Sequence, residues 1–420
     1  MDSAPGAPLS RSRPWPPRSA YLHIPFCHRR CFYCDFPVVP LGDRADGDHS
    51  ASIRSYLTLL ESEIAAAGEG PPLSTVYLGG GTPSLLTPGQ VGRLLGALDR
   101  RFGLAAGAEI SLELDPASFD VPRLRGYLAA GVNRVSLGGQ SFDDGVLLAL
   151  GRRHRAEELA QAIAWLQQAR GLGLRSWSLD LIQGLPLSDG ATATAVQDHW
   201  QAQLRTAIEA GAPHLSIYDL IVEPGTVFER RQQRGELLLP DDDLSADLMA
   251  LTWAELVAAG YGHYEISNYA VPGHASRHNR VYWSGAGWWG FGMGATGAPW
   301  GRRQPRPRTR QGYATWLEQG QAPSPAIARE PAMPLDERLM VGLRRREGVN
   351  GAALLAAEGV GPEAVAALRG RLRPYTEAGW LRLEGSRWRL SDPDGLALSN
   401  AVLREILAWW QEQPQRSLGD

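Results

Sequence analysis

Residues 21–36 read YLHIPFCHRRCFYCDF, and they hold all three cysteines of a 420-residue chain, Cys27, Cys31 and Cys34. The spacing is C-x3-C-x2-C. Three thiolates this close in sequence can hold one metal centre. They are one short of the four protein ligands of a structural zinc site or an all-cysteine [4Fe–4S] cluster. A cluster held by three thiolates keeps one iron open to a further ligand. A disulfide framework is disfavoured, because the count is odd and nothing marks secretion. Zinc with His23 or His28 as fourth ligand is the alternative.

Outward from the cysteines the chain alternates strands and helices. Tyr21–Ile24 reads as a first strand, and Ser74–Leu78 as a second that ends in Gly79-Gly80-Gly81-Thr82-Pro83. Further strands are expected at Glu109–Leu114, Arg134–Leu137, Ser176–Ile182 and His214–Leu220, with helical patterns between them. Such alternation predicts an α/β fold with a parallel sheet and helical crossovers. About six units predict a partial (β/α)6 barrel, with its chemistry on the loops at the strands' C-terminal ends. Strand parity places Ser111 with Glu113, and Ser176 and Ser178 with Asp180. These polar groups predict a lumen that holds a polar ligand.

Composition sets the outer bounds. Hydrophobic content of 44% and charged content of 21% are ordinary for a globular protein. A net charge of −3 gives no electrostatic footprint for nucleic acid. No run of about 18 apolar residues predicts a membrane span, and the N-terminal residues lack a signal-peptide core. These features predict a cytoplasmic protein with reduced thiols. The expected organisation is a disordered tail over 1–19, a barrel over 20–302, an exposed Arg/Pro/Gln-rich linker over 303–330 and a C-terminal domain over 331–420. In that last part, helices followed by the pair Trp380–Leu383 and Arg387–Leu390 predict a winged-helix-like unit.

The cysteine spacing, with Tyr33 before the last cysteine, resembles the motif of the radical S-adenosylmethionine (SAM) superfamily. YLHIPFC followed by CxYCDF is similar to the branch that contains oxygen-independent coproporphyrinogen III oxidase and a related heme chaperone. The resemblance implies that Cys27, Cys31 and Cys34 hold a [4Fe–4S] cluster whose open iron takes the methionine end of SAM. An electron from the cluster then cleaves a C–S bond of SAM. It further implies SAM-contacting roles for Tyr21, Tyr33, Gly80, Gly81 and Thr82. The same role falls to Glu113 in SLELDP, Gln140 in RVSLGGQSF, Arg152 in LGRRH and Asp180 in LDLIQGLP, and Ile221 aligns near the adenine. The glycine run as a phosphate loop is the rival, but no Gly-Lys-Ser/Thr follows it. Gly139 stands where relatives often carry valine, a change expected to loosen the loop while leaving Gln140 in place.

His278-Asn279-Arg280-Val281-Tyr282-Trp283 resembles the HNxxYW heme motif of the chaperone branch, which implies His278 and Tyr282 as heme contacts. The structural alternative is a buried histidine with aromatics packed beneath it. In the oxidase the cysteine motif continues with a fourth cysteine, where this chain has Phe36. The oxidase also carries a longer segment before strand one. Both departures point to a heme chaperone on a radical SAM scaffold without oxidase activity; the alternative is the oxidase itself. The implied acceptors are cytochromes or membrane respiratory enzymes. Transfer to them is compatible with transient membrane association, as monomer or dimer.

Overall fold

The computed structural model describes residues 16–43, 46–187, 190–320 and 333–413. Its first strand, β1 (Ser19–Ile24), buries Ala20, Leu22 and Ile24 in the core and turns Tyr21 and His23 to the other face. The period of two makes that division. Strands β2 (Leu73–Gly80), β3 (Leu104–Leu114), β4 (Arg134–Gln140), β5 (Ser176–Gln183) and β6 (His214–Asp219) follow in parallel, each paired with its predecessor. Helices such as Ala51–Ala66, Pro88–Phe102 and Ala193–Glu209 run between them.

Local sequence explains these crossovers. Helix Pro88–Phe102 starts with Pro88 in the first turn and a reciprocal Thr87–Gln90 capping box. Its Val91, Leu94, Leu95 and Leu98 lie on one stripe and are buried against the sheet. Each such side chain contributes about 1.5–3 kcal/mol of burial free energy. With helices outside, the inward strand face forms the lumen. Register sets Glu113 beside Ser136, Ser136 beside Ser178, and Asp180 beside Ser216.

The sheet is wider than six strands. β7 (Gly262–Glu265) and β8 (Asn268–Ala270) extend it antiparallel beyond β6, and β9 (Trp289–Phe291) lies parallel to β1 at the opposite edge. Strands of three or four residues in a glycine- and aromatic-rich stretch have too little alternation to be read as strands.

The linker expected over 303–330 is corrected in its described part. Gln304–Pro305 pairs with Thr296–Gly297, and Arg310–Glu318 is a helix with Tyr313 fully buried in the main core. Arg306 is buried as well, in an ion pair with Glu63 at 2.8 Å. Residues 321–330 of that expected linker lie outside the described residues, as do residues 1–15 of the expected tail.

Residues 333–413 build a second core around Leu339, Leu343, Leu368, Trp388, Ile406 and Trp409. Helices surround a small antiparallel sheet of Val349–Asn350, Arg387–Leu390 and Leu381–Glu384. This unit meets the barrel through helix Arg277–Ser284, the ion pair Arg280–Glu347, and His263 Nδ1 at 2.6 Å from Asp392 Oδ1. Among the described residues no helix is long and apolar enough to cross a membrane.

Candidate metal and cofactor site

The cysteine loop leaves β1 at the C-terminal end of the barrel. Backbone bonds fix it: Phe32 N–H donates to Leu150 O at 3.0 Å, Leu41 N–H to Cys27 O at 2.8 Å, and Phe228 N–H to Phe32 O at 3.1 Å. All three cysteines are free thiols facing one cavity of about 520 Å³. Burial pushes Cys27 up to about 12, against a lowering hydrogen bond from Thr82, and it raises Cys34. An occupying cation would reverse that balance.

The donor set fits an iron–sulfur cluster. Three free thiols on one loop, facing one cavity, match the thiolate ligands that iron–sulfur clusters take.

The glycine run packs directly beneath this loop. Gly81 N–H donates to Ile24 O at 2.8 Å and Thr82 N–H to Phe26 O at 2.7 Å. A Cβ at Gly81 would sit 2.7 Å from Phe26 O and 2.8 Å from the Pro25 carbonyl carbon. Gly80 has φ +116, and a Cβ there would strike His23. Thus protein packing already demands these glycines, and Gly80, Gly81 and Thr82 also line the cavity.

Opposite lie the carboxylates. Glu113 accepts from Gly80 N–H and from Tyr77 OH, both at 2.9 Å, and burial still pushes it up to about 7. Asp180 accepts from Ser136 Oγ and Ser178 Oγ, each at 2.8 Å, and is likewise raised by burial. Arg152 donates to Asp115 Oδ2 at 2.7 Å and Gly138 O at 2.9 Å, with Cys31 Sγ at 3.6 Å. Burial opposes its charge, but Cys31, Asp115 and Tyr33 outweigh burial and hold the guanidinium above its usual range. Its buried Nε has no hydrogen-bond partner among the described residues. Gln140 closes the same wall at φ +67, a left-handed conformation costly for a non-glycine residue. Next to it, a Cβ at Gly139 would meet Leu179 at 2.8 Å. Glycine there relieves packing, which corrects the expectation of a loosened loop.

Tyr21 departs from its expected place. It lies outside the cavity lining, beneath Tyr77, with its ring centroid 6.2 Å away and its hydroxyl 3.0 Å from His23 Nδ1. Tyr33 is at the cavity wall, and Ile221 is at the rim, 64% exposed.

His278 and Tyr282 belong to the other end of the barrel. His278 is 0% exposed, its Nδ1 is 2.8 Å from Thr75 Oγ1, and its Nε2 is 2.7 Å from Tyr282 OH. Its ring stacks on Tyr77 at 5.2 Å, and burial pushes its pKa down to about 3. Thr75 and Gly80 are five residues apart on β2, so this site lies roughly 16 Å along the strand from the glycine run. Tyr282 packs edge-on against Trp288, in a cluster with Met333 and Val341. The ring has the buried, fully bonded arrangement of the structural alternative.

Residues 21–189 match the family model described as the radical SAM superfamily, and residues 331–396 match the one described as the HemN C-terminal domain. A protein from Synechocystis named heme chaperone HemW is 40% identical, over 94% of this chain and 98% of its own. The chain belongs to the HemW family. A HemW from Mycobacterium tuberculosis is 37% identical over 94% of this chain and 96% of its own. The crystal structure of coproporphyrinogen III oxidase (HemN) from Escherichia coli superposes with a TM-score of 0.73, over 96% of this chain and 92% of that one, at 24% identity. That likeness establishes the shared fold.

Against this HemW-family background, sequence reasoning missed Asp115, Ser136, Tyr77 and Tyr218 in the cavity. Parity could have found Tyr77, since it shares the lumen face with Thr75 on β2. Asp115 follows β3 directly, and its role depends on Arg152, which is 37 residues away.

Proposed function

We propose that the protein is a heme chaperone that carries a [4Fe–4S] cluster and SAM, binds heme as cargo and passes it to heme-accepting proteins such as cytochromes or respiratory enzymes. The observation that carries this reading is the single cavity shared by three free thiols, Gly80–Thr82, Glu113, Gln140, Arg152 and Asp180 in a HemW-family chain. Cys27, Cys31 and Cys34 hold the cluster in this reading. When bound, the two groups supply one-electron chemistry at a sulfonium centre.

The residues around them act by placement and charge. Arg152 offers a guanidinium suited to a carboxylate, already aimed by Asp115 and Gly138. Asp180, aimed by two serine hydroxyls, suits a pair of sugar hydroxyls. Glu113 suits a cationic or donor group beside Gly80. Tyr21 supports Tyr77 from below, and Tyr33 walls the cavity. Heme ligation by His278 requires its Nε2 to exchange Tyr282 for iron, with Tyr282 and Trp283 offering flat surface. Cytoplasmic residence, with membrane contact during transfer as monomer or dimer, completes the reading.

Phe36 in place of a fourth cysteine favours the chaperone over the oxidase. The test is anaerobic reconstitution followed by heme titration, beside His278→Ala, and by transfer to an apo-cytochrome. About one heme per chain, weakened in the variant, with no turnover of coproporphyrinogen III, is the expected result. Turnover without saturable heme binding would select the oxidase instead.

A further inference from the structure

A second cavity, of about 490 Å³, lies against the outer side of the cysteine loop. Such a volume falls in the roughly 300–1,000 Å³ range of small-molecule sites. Its charged lining is Arg30, Arg308 and Arg310 against the one carboxylate of Asp35, a surplus of two positive charges. Among the described residues, none of the three guanidiniums makes an ion pair closer than 3.9 Å. Arg308 donates to the backbone oxygen of Asp35 at 2.6 Å while the Asp35 carboxylate stays 3.9 Å away. Arg310 donates to the hydroxyls of Ser52 and Ser55, both at 3.2 Å. Arg30 is exposed on the cysteine loop itself.

The apolar part of the lining is Phe36, Pro37, Val38, Val39 and Met293. Phe36 is 55% exposed and offers its ring to a ligand. It also lines the cysteine cavity, together with Arg30, Asp35 and Val38, so the two cavities share a wall. The ligand such a site selects has two anionic groups on one edge and a flat apolar body. Carboxylates suit it well, since guanidinium forks match their geometry.

We propose that this cavity is the docking site for the propionate edge of heme. Arg30 and Arg308 hold the carboxylates, and the macrocycle lies on Phe36 at the mouth of the cysteine cavity. The inference rests on the heme-chaperone reading and gives it an entry site separate from the closed His278–Tyr282 pair. It also gives position 36 a use, as the apolar floor under a porphyrin.

The test compares hemin with hemin dimethyl ester, whose propionates carry no charge, on the full reconstituted chain. Visible absorbance gives the affinities of the wild type and of Arg30→Gln/Arg308→Gln. Charge-assisted hydrogen bonds to carboxylates predict that the wild type binds the ester about tenfold or more weakly than hemin. The double variant is expected to lose hemin affinity by a similar factor and to leave ester affinity unchanged. Phe36→Ser is expected to weaken both ligands. The ester comparison needs no variant, so misfolding cannot obscure it; iron content and thermal unfolding check the variants. Saturable hemin binding that is equal for the ester and indifferent to both arginines would overturn this site while leaving the chaperone reading intact. Absence of saturable hemin binding in the wild type would overturn both.

Discussion

At the scale of single residues, the two halves of the sequence-based site behave differently. The cysteines are free and face a shared cavity. Cys31→Ala is expected to lose cluster iron after anaerobic reconstitution and to free Arg152 from its sulfur neighbour. Iron analysis checks this, and wild-type iron content in the variant would refute the assignment. His278, by contrast, is satisfied as it stands. Its folded pKa of about 3 lies below the ordinary value of 6.5, because burial disfavours the imidazolium. The unfolded chain therefore binds more protons between those limits, and stability falls as pH drops below 6.5. His278→Ala removes that dependence. The wild type's advantage over the variant should shrink by on the order of 1 kcal/mol between pH 7.5 and 5.5. Denaturant unfolding at the two pH values measures it, and an unchanged difference would mean that the ring is hydrated rather than enclosed.

At the scale of elements, the cysteine loop and the glycine run form one unit. Ile24 O and Phe26 O, just before Cys27, accept from Gly81 and Thr82, and no Cβ fits between the two backbones at Gly81. Gly81→Ala must push the loops apart. A loss of about 1–3 kcal/mol is expected from overpacking, together with reduced iron per chain, because Cys27 moves with Phe26. Gly171→Ala, where an added Cβ meets nothing within 4 Å, is the matched control and should stay within about 0.5 kcal/mol of wild type. Equal iron loading in both variants would show that the loops move independently. This coupling is hidden in the sequence, where GGGTP reads as a loop with room for a ligand. The lumen was easier to read. Ser111 and Glu113, or Ser178 and Asp180, alternate with leucines on strands whose outer face must meet helices, so polar groups on one parity can only point inward. Asp115 and Arg152 gave no such pattern, because their pairing comes from the tertiary fold.

At the scale of the molecule, the sequence was misleading where composition stood in for contact. Residues 303–320 are rich in arginine, proline and glutamine, which ordinarily mark an exposed connection. Yet Arg306 and Tyr313 reach the core because Glu63, 243 and 250 residues away in the chain, is buried with them. Glu63 accepts from Arg306 Nε at 2.8 Å, from Tyr313 OH at 2.6 Å and from Gly292 N–H at 2.7 Å. One carboxylate thus ties the first crossover helix, the turn after β9 and the segment that carries Arg308 and Arg310. A buried ion is tolerable only while its partners remain. Arg306→Met leaves Glu63 with two neutral donors and no countercharge, so a loss of about 3–5 kcal/mol is expected. Adding Glu63→Gln removes the stranded charge while keeping an acceptor for Tyr313 and Gly292. The double variant should therefore be more stable than Arg306→Met alone. Anaerobic guanidinium unfolding of the three proteins gives the comparison. If Arg306→Met unfolds at the wild-type midpoint, the ion pair does not hold residues 303–320 to the barrel. A double variant no more stable than the single one would instead place the loss in Arg306's own packing and in its 2.6 Å bond to Gln304 O.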